Sequence, residues 1–358
     1  MTTLNPRNER IKRGYVEFLR QADRKSEGTI RGVEKALHRF EEHTRFTDFA
    51  SFKREQAMSF RAALAKPPAG GKALSAATVL STLTAVQRFL RWLILQPGVK
   101  SKIRATDIDY LNLSANEARA AAAAPSKPFP TMEQLKHTLA KMPAGTEIER
   151  RDRALFALIM MTGARDSAAA SLRLRHVELD RSLIVQDPTS VRTKNGKLIE
   201  SVLLPLGDEV ERAFADWIVY LRADLLYGPD DPVFPQTATR IDPARGPVAD
   251  GLKRLCWSSS APIRAIFRRA FEEAGLPYFS PHRVRSSIVE YAYRTCRTPE
   301  EIKAFSQNLG HSHVATTLSS YGTIPLTRQA ELIRSAGKAE DRDARINRLL
   351  DLVERNFA

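Results

Sequence analysis

The sequence predicts a mainly α-helical chain in two domains, with one small antiparallel β-sheet in the second. Three observations predict it. Apolar residues recur at helical spacing through the first hundred residues, an Ala-rich stretch broken by prolines interrupts the pattern at 115–130, and two short Val- and Leu-rich runs flank a polar turn between 182 and 205. At 358 residues the chain is long enough for two cores rather than one.

The elements follow in order. Between Ser26 and His43, Ile30, Val33, Leu37 and Phe40 line one helical face, and Phe49, Phe52, Phe60 and Leu64 predict another helix. KPPAGGK at 66–72 breaks the pattern. Ser75 then caps a helix that runs through Val79, Leu83, Val86, Leu90 and Leu93, with Arg88 and Arg91 between them. Residues 1–114 read as an all-helical domain. ANEARAAAAAPSKPFP (115–130) reads as an interdomain linker, because three prolines stop a helix and favour extended chain.

Thr131 and Gln134 make a capping box that opens the second domain, 131–358, and Arg153 to Met161 reads as a buried helix. SLIVQ and SVLLPL flank TKNGK as antiparallel strands. Helical patterns return at 207–224, at 261–274, after Ser280-Pro281, and at Thr298-Pro299-Glu300-Glu301, where cap, N1 proline and N3 glutamate coincide. Ile346, Leu349, Leu350, Val353 and Phe357 form one apolar stripe on a closing helix, which must pack in cis or on a neighbour.

Charge narrows the function. The 56 lysines and arginines outnumber the 41 acidic residues, a net +15, and that much uncompensated cation calls for a polyanionic partner, of which nucleic acid is the natural one. No run approaches the roughly 18 apolar residues that span a bilayer, and MTTLNPRNERIKRGYVEF carries charges where a signal peptide is apolar. A cytoplasmic, nucleoid-associated protein with no membrane partner is expected. Cys256 and Cys296 form no C-x-x-C pair and lie near no His cluster, so they read as reduced and buried, with no metal site. GGK at 70–72 lacks the upstream glycine and the following Ser/Thr of a phosphate loop, and no cofactor is expected.

Three segments carry chemistry. IMMTGARDSAAASLRLRHVEL (159–179) puts a Thr162-Gly163-Ala164 turn at the end of a buried helix and projects Arg165 from it. PHRVR sets His282 and Arg285 at i and i+3, on one face of a helix. NLGHSHVATTLSSYG supplies a Gly-terminated helix, His311, and Tyr321 ten residues later.

In this order, T-G-x-R, a hairpin lysine, H-x-x-R, L-G-H and a following tyrosine, the chain resembles the tyrosine recombinases of the phage integrase type. The specific motifs lie within 159–197 and 280–322. The resemblance implies a helical, SAM-like core-binding domain followed by a tyrosine-recombinase catalytic domain with a C-terminal tail helix. It implies that Arg165 and Arg285 hold the non-bridging oxygens of a scissile phosphate while Tyr321 attacks phosphorus. A hairpin lysine, Lys194 or alternatively Lys197, protonates the leaving 5′ oxygen. His282 accepts a proton and His311 donates a hydrogen bond. Two guanidinium forks neutralising a pentacoordinate phosphorus would do without metal what Mg²⁺ does elsewhere, and a phenol of pKa about 10 needs the help of a base.

The implied partners are double-stranded DNA, a homo-tetramer on paired sites exchanging strands through a Holliday junction, and accessory DNA-bending proteins. The implied process is integration or excision of a mobile element. A type IB topoisomerase and a non-cleaving DNA-binding regulator on the same fold are the alternatives. Two departures stand out: Ala168 occupies the place where many relatives carry an acidic residue, with Asp166 no obvious substitute, and Tyr321 follows His311 by ten residues where many relatives have nine. Tyr291 and Tyr293 are weaker candidates for the nucleophile.

Overall fold

The computed structural model describes residues 4–67, 73–99, 102–122, 128–244, 246–320, 327 and 329–335. Tyr321, the apolar stripe at 346–357 and part of the 115–130 segment lie outside the described residues. The chain divides into two compact units, Met1–Pro125 and Ser126–Ala358. No described helix is long and apolar enough to cross a membrane.

In the first unit, α1 (Pro6–Gln21), α2 (Glu27–His43), α3 (Arg54–Leu64), α4 (Ala76–Leu93), the short α5 (Ala105–Ile108) and α6 (Ala115–Ala122) follow one another. Each long helix starts where a side chain takes over an orphan N–H: Asn5 accepts from Arg7 and Asn8 N–H ahead of Pro6, Ser26 from Thr29 N–H, and Ser75 from Thr78 N–H. Their apolar faces meet in a phenylalanine cluster. Phe40 packs edge-on against Phe60 at 5.0 Å and Phe49 against Phe89 at 4.8 Å between ring centroids. Helix α6 occupies 115–122, so the expected extended connection opens as a helix. Its prolines stand after the helix rather than inside it, and Ala121 is buried.

In the second unit the order is α7 (Met132–Lys141), α8 (Glu147–Thr162), α9 (Asp166–Ala169), β1 (Val177–Glu178), β2 (Leu183–Gln186), β3 (Ile199–Val202), α10 (Asp208–Ala223), β4 (Gln236–Asp242), β5 (Gly246–Lys253), α11 (Ala261–Glu273), α12 (Pro281–Thr295), α13 (Pro299–Asn308) and α14 (Val314–Ser320). Helix α8 runs through the core, with every residue from Ala154 to Met161 fully buried. Strands β1, β2 and β3 form one antiparallel sheet with Leu183 opposite Val202 and Ile184 opposite Ser201. β3 begins before SVLLPL, because the turn at Lys194–Gly196, closed by Gly196 at φ +59°, comes early enough for Ile199 to point inward.

Strands β4 and β5 make a separate antiparallel hairpin that the sequence pattern does not announce. Its base is tied to α8: Arg151 donates to the Pro235 carbonyl and to Thr237 Oγ1. Cys256 and Cys296 are half-buried rather than sealed in the core as expected, since each sits beside a loop or helix end with one side open.

Candidate active site

Two chain corners and the helix between them build the site, and glycine makes both corners. Helix α8 ends at Thr162, whose Oγ1 donates to the Leu158 carbonyl and accepts from Ala164 N–H, while Gly163 turns the chain in the left-handed region at φ +60°. A Cβ there would stand 2.6 Å from Leu309 Cδ2 and 3.0 Å from Ile288 Cδ1. Glycine is thus required twice over, for its backbone and for the close approach of α12 and α13. Arg165 leaves this corner at the start of α9.

The second corner ends α13. Gly310 has φ +66°, and its absent side chain leaves room for Ile199 of β3, whose Cδ1 would lie 2.6 Å from a Cβ. The Asn308 carboxamide binds the edge of β3 through both of its ends, accepting from Val202 N–H at 2.6 Å and donating to the Val202 carbonyl at 3.0 Å. His311 follows with its N–H on the Ser306 carbonyl.

Helix α12 joins the two corners. Pro281 opens it, and His282 and Arg285 share a face. Arg285, 6% exposed, donates Nη1 to the Gly163 carbonyl at 2.6 Å and Nη2 to the Leu309 carbonyl at 2.5 Å, so one guanidinium spans both turns. Burial and the neighbouring Arg165 draw Arg285 down to about 9. Burial alone lowers Arg165. Burial, then Arg285, Arg165 and His282, brings His311 down to about 4, and burial with Arg285, Arg165 and Arg283 lowers His282 against a small opposing effect of Asp166. Both imidazoles are therefore neutral near pH 7. No carboxylate is paired with Arg165 or Arg285 among the described residues. The arrangement is a cationic corner with two neutral imidazoles, suited to an oxyanion.

Arg165, His282, Arg285 and His311 thus come together. Lys194 is exposed on the turn between β2 and β3. Lys197, three residues on, hydrogen-bonds Ser312, next to His311, and shares with His311 a depression of about 540 Å³. The loop carrying both lysines is held from behind: His176 Nε2 meets Ser190 Oγ at 2.9 Å, Arg192 N–H donates to Ser171 Oγ, and the Arg192 guanidinium donates to the Trp257 and Ser258 carbonyls. Ala168, 1% exposed, is part of the apolar core. Asp166 accepts from Arg264 Nε at 3.0 Å. Arg192, Arg264 and Ser171 carry no sequence signal, because their partners are distant in the chain. Tyr291 stacks obliquely on Phe305 and packs against the core, as does Tyr293.

In the first unit, a groove of about 1760 Å³ among α1, α2 and α4 has Tyr15, Phe18 and Trp92 on its floor and Arg7, Arg10, Lys35, Arg39, Arg88 and Arg91 around it. Cations interleaved with aromatic rings suit a nucleic-acid backbone.

Comparison with known proteins bears on these corners. Tyrosine recombinase XerD of Corynebacterium glutamicum is 28% identical over 173 residues, 48% of this chain and 48% of that protein. Tyrosine recombinase XerC of Pseudomonas putida is 24% identical over 314 residues, 86% of this chain and 90% of that protein. The chain spans about half the length of the first of these relatives. Among solved structures, a lambda integrase tetramer bound to a Holliday junction matches with a TM-score of 0.58 at 13% identity, over 89% of this chain and 79% of that one. The Tn1549 transposon integrase in complex with transposon right end DNA matches at 0.54 and 16% identity, over 91% and 99%. These two likenesses are of fold. Residues 130–324, more than half of the sequence and containing both corners and α12, match the phage integrase family, and the chain belongs to that family.

Proposed function

We propose that this protein is a site-specific DNA recombinase that cuts and rejoins DNA through a 3′-phosphotyrosyl intermediate. One observation carries the reading: Arg165 and Arg285 share a corner with neutral His282 and His311, and no carboxylate is paired with either arginine among the described residues. Such a corner stabilises the charge that builds on the non-bridging oxygens when a phosphodiester is attacked. Tyr321 is the nucleophile. Its proton passes to His282, its oxygen bonds to phosphorus, and the bond from phosphorus to the 5′ oxygen breaks. A lysine supplies the proton that makes the leaving group a 5′-hydroxyl. We assign Lys197 to that step rather than Lys194, on its contact with Ser312. The second transesterification reverses the first with a hydroxyl from the partner duplex, so phosphodiester bonds are conserved in number.

Double-stranded DNA lies along the first unit's groove in this reading, and four protomers pair two sites, as in the lambda integrase tetramer on a Holliday junction. Accessory DNA-bending proteins belong to the same assembly. The process is integration or excision of a mobile element. Relatives named XerC and XerD make a recombinase that resolves DNA multimers the competing assignment.

The test uses a labelled duplex from the DNA flanking the gene, nicked beside each candidate scissile phosphate so that the covalent state is trapped. Wild-type protein is expected to form an adduct that Tyr321→Phe loses while both bind. Binding without an adduct in either would instead indicate a regulator. An adduct with relaxation of supercoils but no exchange between paired sites would indicate a topoisomerase.

A further inference from the structure

His311 has its position fixed by its backbone, since Gly310 is wedged against Ile199 and the His311 N–H is spent on Ser306. Ring orientation needs a further contact. Arg285, Arg165 and His282 act on the imidazole through their charge, and the two guanidiniums are donors only. That contact is Thr317 of α14, 1% exposed, with Oγ1 2.7 Å from His311 Nδ1.

We infer that Thr317 is a positioning residue for His311: its hydroxyl holds Nδ1, so that Nε2 is the nitrogen presented to the scissile phosphate. This rests on the recombinase reading above. A neutral imidazole has one N–H, and to donate to a phosphate oxygen it must carry that proton on Nε2, leaving Nδ1 an acceptor. A threonine hydroxyl is a rotor that can donate to Nδ1 in that state. A methyl in its place cannot. Thr317 also lies four residues ahead of Tyr321 in the sequence, so the same hydrogen bond joins the phosphate-facing histidine to the helix that leads to the nucleophile.

The test compares wild type with Thr317→Val, which keeps the shape and removes the hydroxyl, and Thr317→Ser, which restores it. Single-turnover cleavage of the nicked duplex is expected to fall about ten-fold or more in Thr317→Val and to stay within about three-fold of wild type in Thr317→Ser, a loss of the size seen when partners that orient a histidine ring are removed. DNA affinity is expected to be the same in all three. In DNA-free protein labelled with ¹⁵N-histidine, the His311 Nδ1 resonance is expected to shift in Thr317→Val and not in Thr317→Ser. Cleavage by Thr317→Val at the wild-type rate, an equal defect in Thr317→Ser, or an Nδ1 resonance indifferent to the valine would each overturn the inference. Absence of an adduct in wild type would remove the recombinase reading and this role with it, while the ring resonance would still report whether the contact exists.

Discussion

Arg151 and Arg285 are both buried arginines of the second unit, and their surroundings differ in kind. Arg151, 3% exposed, donates Nε and Nη2 to Asp152 at 2.9 and 2.7 Å and Nη1 to the Pro235 carbonyl and Thr237, and its guanidinium lies 5.1 Å from the Trp257 ring. Asp152 is held in turn by Arg269. Its charge is balanced within the protein. Among the described residues, Arg285 has two carbonyl dipoles to balance it, and a second arginine pushes against it. A buried cation satisfied by a carboxylate is scaffold. A buried cation balanced by dipoles and crowded by a like charge is built to meet an anion from outside, and a pKa displaced in this way marks function more than stability.

Paired substitutions at Arg285 and Arg151 are expected to have opposite effects. Arg285→Ala is expected to reduce cleavage by roughly 10³-fold or more, with DNA affinity within about three-fold, because many other phosphate contacts share the binding. Its melting temperature should hold or rise as repulsion with Arg165 is relieved. Arg151→Ala is expected to do the reverse, costing about 3–5 kcal/mol of stability by breaking a buried pair, with cleavage per folded molecule little changed. Thermal melts beside single-turnover cleavage check both. If Arg285→Ala melted as early as Arg151→Ala, the distinction between seat and scaffold would be lost.

A smaller effect sharpens the same contrast at the corner that Arg285 spans. Gly163→Ala adds a methyl 2.6 Å from Leu309 Cδ2 and 3.3 Å from Arg285 Cγ, at φ +60°. Gly98→Ala meets a similar backbone demand at φ +77° with nothing within 4 Å. Backbone strain of about 1 kcal/mol is common to both. Overpacking of about 1–3 kcal/mol belongs to Gly163 alone, and moving Arg285 should also slow cleavage about ten-fold or more. Equal losses in denaturant melts of the two variants would mean that the corner yields without disturbing the arginine.

What was legible in the sequence was local. Ser75, the Thr131–Gln134 pair and the Thr298–Glu301 pair mark their helix starts because a cap is made by residues two or three apart. Arg165 and His311 were readable as candidates because each follows a turn written in Gly, and His282 and Arg285 because they stand three residues apart on a helix that Pro281 opens. Helix α1 was missed because its buried side chains are only Asn8, Tyr15 and Leu19, one of them polar and satisfied by Thr47 and Phe49, too thin a stripe to see. The β4–β5 hairpin was missed for a similar reason: Gln-Thr-Ala-Thr-Arg-Ile-Asp scarcely alternates, and its anchor is Arg151, more than 80 residues back. The proposed assignment of Lys197 rests on its contact with Ser312, 115 residues away, and pattern cannot see that distance. Ala168, where many relatives carry an acidic residue, lies in the buried apolar core.

The smallest expected effect is on pH dependence, where the two arginine sites again part. Burial and three cationic or titratable neighbours hold His311 at about 4 in the fold, against an ordinary value of 6.5, and His282 is lowered for the same kind of reason. Between pH 6.5 and 4 the unfolded chain therefore binds more protons than the folded one, so stability rises with pH across that window and is lost as pH falls through it. His311 is only half-buried, so solvent screening limits its share to about 1 kcal/mol, or about 2–4 °C of melting temperature. His311→Asn should flatten the DNA-free melting profile between pH 6.5 and 4 by that amount, and Arg151→Ala should leave the slope attributable to His311 in place. A profile equally steep with and without His311 would show that the cations of the corner do not press on the imidazole, and the seat would then be less positive than its geometry implies.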